Sequence, residues 1–196
     1  MKYYNLSADQ EYGPALIKLA DYCDSDEVKD YKKACDYYKK AADQGYAEAQ
    51  CDLGFHYKYG DGVDIDLSIA IHYYQLAAEQ NDCRALCNLA VCYEEGAGVT
   101  QSSKEAFKYF KKAADLGFAR GQFRVARCYS LGLGVKESFE KAIEYFELAL
   151  GQDYKTEEIL EKIQECKNAQ RTGEKSINKL NKSSKVILRL QGVSTN

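Results

Sequence analysis

Between residues 46 and 81, apolar side chains fall at Ala49, Leu53 and Tyr57, and again at Ala70, Tyr73, Tyr74, Ala77 and Ala78. Steps of four, or of three and four, keep such residues on one side of an α-helix, and Glu48, Asp52 and Lys58 fall off the first of these faces. The pattern predicts a first helix over about 47–59 and a second over about 67–79. Gly60-Asp61-Gly62 lies between them and breaks the first helix, because glycine accepts the left-handed conformation that ends one. Val63 caps the apolar layer. The small residues of the second stripe let two helices approach closely, with tyrosine filling the volume left over.

The same pattern returns along the chain. Leu53-Gly54-Phe55-His56-Tyr57 through Gly60-Asp61-Gly62-Val63 is matched 36 residues later by Leu89 to Val99, and 36 later again by Val125 to Val135. Ala34, Ala70, Ala106 and Ala142 keep that register through four units. A fixed period of this length marks a solenoid, in which each unit buries its apolar face only against its neighbours. The chain divides into repeats over 12–45, 46–81, 82–117 and 118–152. The linker Asp24 to Asp30 in the first is two residues short and lacks the double glycine, so its turn should differ. Ser102-Ser103-Lys104-Glu105 reads as a capping box at the start of a second helix, with Ser138 at the matching place one unit on.

The ends of the chain depart from the period. Tyr3-Tyr4 and Ser7-Ala8 align with Tyr37-Tyr38 and Ala41-Ala42, so residues 1–11 read as the second helix of a truncated repeat, and a preceding signal could be missing. After Leu150-Gly151, a helix over about 155–168 carrying Ile159, Leu160, Ile163 and Cys166 reads as a closing helix, placed within 153–170. Residues 171–196 form a basic tail that is polar enough between Arg171 and Ser184 to be flexible, with Val186 to Leu190 as its one segment able to dock.

Composition narrows the class. One Pro, no Trp, 17 Tyr and a 45% apolar share suit a folded helical protein, and no apolar run reaches the roughly 20 residues of a membrane span. Residues 167–196 carry seven Lys/Arg against one Glu, a net of +6, and the other 20 basic and 29 acidic residues leave the body at −9. An acidic body argues against nucleic acid as the main ligand, since phosphate binding needs a basic face. The eight cysteines keep no paired spacing from unit to unit. Equivalent positions on neighbouring helices lie about 9 Å apart, beyond disulfide reach. They read as reduced thiols in a reducing, cytoplasmic compartment.

Few motifs suggest chemistry. The Gly-x-Gly steps at 60–62, 96–98 and 132–134 follow helices rather than strands and lack a third glycine, so they read as turns and not phosphate loops. Ser138-Phe139-Glu140-Lys141 fits a serine–lysine pattern, but without a Lys-Thr-Gly partner it reads as a helix cap. Cys83 and Cys87 share a helical face, yet Cys92 points away and no local histidine completes four metal ligands. Asp24, Asp26 and Asp30 lack the glycine a calcium loop needs. His56 and His72 have no serine or carboxylate arranged around them. No catalytic residue, metal site or cofactor is expected.

The string Ala-x-x-x-Leu-Gly-x-x-Tyr-x-x-Gly-x-Gly-Val, followed by Ala-x-x-Tyr-Tyr-x-x-Ala-Ala-x-x-Gly, resembles the Sel-1-like repeat family, a relative of the tetratricopeptide repeat. The resemblance covers about residues 3–152. It implies an all-α, right-handed α-solenoid of about four helix-turn-helix repeats plus a closing helix, with first helices lining the concave side. It implies a non-enzymatic adaptor or scaffold for partner proteins or peptides; a regulatory subunit or inhibitor docking on a single enzyme is the alternative. Carried over by position, the concave protein-binding face comprises Phe55, Lys58, Tyr59, Arg84, Val91, Glu94, Glu95, Arg120, Phe123 and Arg127, with Cys51 and Cys87 among them. The family's cysteine-rich branch bridges neighbouring units through cysteines at places that here hold Ala42 and Gln50, Ala78 and Leu86, and Ala114 and Gln122. This chain does not resemble that branch.

Overall fold

Helix pairs stack in chain order. The computed structural model describes the backbone of residues 12–190 and the side chains of residues 12–173; residues 1–11, assigned above to a truncated repeat, lie outside it. Its helices are α1 (Gly13–Asp24), α2 (Tyr31–Asp43), α3 (Ala47–Tyr59), α4 (Leu67–Glu79), α5 (Cys83–Glu95), α6 (Ser103–Asp115), α7 (Ala119–Leu131), α8 (Phe139–Leu150) and α9 (Thr156–Leu190), and no strand occurs among the described residues. Consecutive helices pack on one another throughout, and the two helices expected in the second unit fall at the expected residues.

The alanine register makes the packing possible. Ala34, Ala70, Ala106 and Ala142 are at most 3% exposed, and the apolar interior runs from Leu16 on α1 to Cys166 on α9. Inside each of the last three units a tyrosine from the first helix stacks on one from the second: Tyr57 on Tyr73, Tyr93 on Tyr109 and Tyr129 on Tyr145, with interplanar angles of 15°, 13° and 19°. Side-chain oxygens of Asp30, Asp66, Asp82, Ser102 and Ser138 cap helices by accepting backbone N–H bonds. Ser102 accepts from the Glu105 amide, while the Glu105 carboxylate pairs with Lys108.

Two devices join one unit to the next. The second glycine of each Gly-x-Gly turn has φ near +70° or above and lies against the start of the previous unit's second helix. A Cβ on Gly62 would meet the Tyr31 carbonyl at 2.5 Å, one on Gly98 the Leu67 carbonyl at 2.9 Å, and one on Gly134 the Ser103 carbonyl at 2.1 Å. The second device is a glutamine that reaches back to the last carbonyl of the previous unit and is held by another glutamine of its own unit. Gln80 Nε2 donates to the Gly45 carbonyl at 3.0 Å and to Gln50 Oε1 at 2.9 Å, and Gln152 Nε2 donates to the Gly117 carbonyl and Gln122 Oε1 at the same distances. In the unit between, Leu86 and Leu116 occupy those places.

The first unit closes differently, as its shorter linker suggests. The Asp30 amide donates to the Cys23 carbonyl, and Lys29 takes the left-handed conformation that glycine supplies elsewhere. The far end also departs from expectation. Ile159, Ile163 and Cys166 on α9 are buried, but the helix continues without a break through Gly173 to Leu190, so the segment expected to be flexible from Arg171 to Ser184 is helical. Helix propagation adds a hydrogen bond for each residue ordered, and Pro, the strongest breaker, is absent from this stretch.

Candidate functional site

The first helices α3, α5 and α7 stand side by side, and ion pairs run between them. Arg84 grips Asp52 with two bonds of 2.8 and 3.3 Å, Lys58 reaches Glu95 at 3.0 Å, and Arg124 reaches Glu94 at 3.3 Å. On the side towards α1, and contrary to the expectation that no carboxylate surrounds it, buried His56 places Nε2 3.4 Å from Asp24, brought in from the preceding unit, and Nδ1 2.9 Å from the Asp61 carbonyl, which also accepts from Cys35 Sγ. Four of the residues expected to receive a partner, Arg84, Lys58, Glu94 and Glu95, are therefore engaged with the neighbouring unit. Burial pushes the Asp52 carboxyl up to about 6; the Arg84 guanidinium pulls it back part of the way, and Glu48 and Asp21 add to the rise.

Phe123 belongs to the core. It is 2% exposed, with Phe146 at 5.7 Å, Tyr154 at 5.8 Å and the Lys155 ammonium 5.0 Å above its ring. It takes no part in an open face, because the chain entering α9 folds over it. Cys51 and Cys87, its equivalents, are buried too.

What stays open is a smaller set. Phe55 and Tyr59, one turn apart on α3, hold their rings 4.5 Å apart and are 44% and 53% exposed, with the Lys58 ammonium 5.4 Å from the Tyr59 ring. Val91 is half-buried at the place equivalent to Phe55, and Leu131, 58% exposed, repeats the position of Tyr59 two units on. Leu131 was missed by motif reading, yet its register with Tyr59 could have found it. Arg120 and Arg127 are half-buried on α7 and have no ion-pair partner among the described residues.

The chemical alternatives find no support in the geometry. All eight cysteines are free thiols, and all but Cys83 are buried. Burial pushes Cys35 and Cys87 up to about 12 and Cys128 up to about 11. Such thiols are poor nucleophiles and poor metal ligands near neutrality. Among the described residues no group of His, Cys, Asp and Glu is placed to hold a metal ion. The Ser138 hydroxyl accepts from the Lys141 amide as a helix cap, and the Lys141 ammonium sits 5.3 Å from the Tyr129 ring. No helix among the described residues is long and apolar enough to cross a membrane.

Stacked helix pairs with an open, side-by-side row of first helices define an α-solenoid repeat protein. The chain belongs to the Sel1 repeat family, whose repeat is matched at residues 13–46, 47–82, 83–118 and 119–154. A Sel1 repeat protein from Oxalobacter formigenes is 26% identical with a TM-score of 0.71, over 77% of this chain and 61% of that one. The protein c5321, a protective antigen present in uropathogenic Escherichia coli strains and displaying an SLR fold, is 27% identical with a TM-score of 0.56, over 78% of this chain and 41% of its own. This chain thus spans less than two thirds of either relative. No curated protein matches it. Sel1 repeat proteins are in general scaffolds for protein–protein interaction.

Proposed function

We propose that this chain is a non-enzymatic adaptor that binds a segment of a partner protein along the concave face formed by α3, α5 and α7. The observation that carries this reading is the exposed Phe55–Tyr59 pair, on a face whose other charges are mostly neutralised between units while Arg120 and Arg127 stay unpaired among the described residues. Rigid aromatics and arginines supply most hot-spot energy at protein interfaces, because they bury large area for little lost rotamer freedom. The free, buried thiols support a reducing, cytoplasmic setting.

Affinity capture with the wild-type chain and with the double variant Phe55→Ala, Arg127→Ala tests the reading. Partners identified by mass spectrometry should be lost from the double variant and kept by Lys111→Ala on α6. Partners that survive the double change but disappear when residues 171–196 are deleted would transfer recognition to the basic C-terminal segment and refute the reading.

A further inference from the structure

The open residues are not scattered. Phe55, Val91 and Arg127 are equivalent positions on α3, α5 and α7, so they form one row along the stack: aromatic, aliphatic, cationic. The acidic residues beside that row, Glu94 and Glu95, are taken up by Arg124 and Lys58, which leaves the arginine end locally positive although the body as a whole is acidic. Arg120, two turns earlier on the same side of α7, widens that end.

We infer that the row reads an acidic peptide in polyproline II conformation, with two large apolar residues three apart and an Asp or Glu three residues further on. The spacing follows from two repeats that match. Neighbouring helix axes lie about 10 Å apart, and a polyproline II chain advances about 3.1 Å per residue with about three residues per turn, so three residues span one unit and bring a side chain back to the same side. The first apolar side chain packs on the Phe55–Tyr59 pair and the second on Val91. The carboxylate pairs with Arg127, whose guanidinium has donors free for a two-bond grip. Arg127 thus stands where a third apolar contact would otherwise be, and its charge selects for a carboxylate and against a lysine at that place. The ligand does not depend on long-range attraction, since the net charge of the body would repel it. This assignment rests on the concave-face reading proposed above.

A random peptide display library selected on the full chain, followed by titration of the enriched peptides, tests it. The enriched set should share the pattern apolar, two any, apolar, two any, acidic. Arg127→Glu should weaken those peptides at least about tenfold and, when selected afresh, enrich Lys or Arg at the acidic place. Arg127 has no ion-pair partner to lose among the described residues, so an unchanged melting temperature should accompany the switch. Enriched peptides with no acidic preference, or indifferent to Arg127→Glu, overturn the inference. If such peptides still weaken on Phe55→Ala, the concave-face reading survives without it. If none enrich, or none depend on either residue, both fall together.

Discussion

Tyr74 is fully buried, and its hydroxyl has no hydrogen-bond partner among the described residues; the equivalent positions one and two units on hold Phe110 and Phe146. A buried, unsatisfied hydroxyl costs about 1–3 kcal/mol. Tyr74→Phe should therefore raise stability by roughly 1 kcal/mol, seen as a higher urea midpoint with an unchanged m-value; a lower midpoint would mean the hydroxyl has a partner. Asp52 makes a pH-dependent prediction. Its carboxyl is raised in the folded state above its ordinary value, so the folded chain holds this proton over a pH range where the unfolded chain has released it. Between about pH 4 and about 6 its contribution to stability falls as pH rises, by roughly 2 kcal/mol. The urea stability of wild type minus that of Asp52→Asn should decline across that window, and a flat difference would contradict the burial. For the thiols, native protein should expose Cys83 to a thiol reagent at neutral pH and denatured protein all eight. Side-chain placement was the least legible part of the sequence. Phe123 lies on a first helix, but its register is buried in three successive units, at Cys51, Cys87 and Phe123, and Tyr154 and Lys155, which lie outside the repeat pattern, complete its cover. The charge pairs were hidden for a similar reason, because Asp52 and Arg84 meet only through the offset between neighbouring units.

At the scale of the element, helix limits could be read closely from the sequence because stripe, cap and breaker agree. Asp66 caps α4 by accepting from the Ser68 and Ile69 amides, Gly60 ends α3 in the left-handed conformation, and the apolar spacing on either side leaves one solution. The length of α9 could not be read in this way, since nothing in a polar segment without proline marks where helix gives out. The double glycine was legible only in part. The first glycine of each step ends a helix, which its sequence position announces, whereas the second is required by the neighbouring unit's backbone, which no local pattern reveals. The two roles separate by mutation. A methyl group at Gly132 meets only ordinary contacts, beginning at 3.6 Å, so Gly132→Ala should cost about 1–2 kcal/mol from its positive φ alone. Gly134→Ala adds collision with the Ser103 carbonyl and should cost clearly more, about 3 kcal/mol or beyond. Equal losses in thermal or urea unfolding would show that the turn does not hold the units at this distance.

Across the whole molecule, stability passes from each unit to the next, so the exposed end of the stack matters as much as its middle. Ile159 on α9 is fully buried and covers α8, and Ile159→Ala should cost about 2–4 kcal/mol. Amide exchange should then rise first in α7, α8 and α9, with α1 and α2 keeping more of their protection; uniform loss along the array would mean it unfolds as one block. The four-unit plan was legible because the period is strict. The mutual engagement of the units was not, since each contact joins residues about 30 or more apart. The paired glutamines mark the limit of that engagement. Gln50 with Gln80, Leu86 with Leu116 and Gln122 with Gln152 are each pairs within one unit, so the units alternate between a polar and an oily pair and each carries its own partner. A misfolded form that skips a repeat would therefore keep each of these amides partnered, since the bond that crosses a boundary, from Gln80 or Gln152, ends on a backbone carbonyl of the kind every unit offers. Array growth by gene duplication meets no obstacle at these positions, because a single copied unit brings its own pair with it and copies need not arrive two at a time.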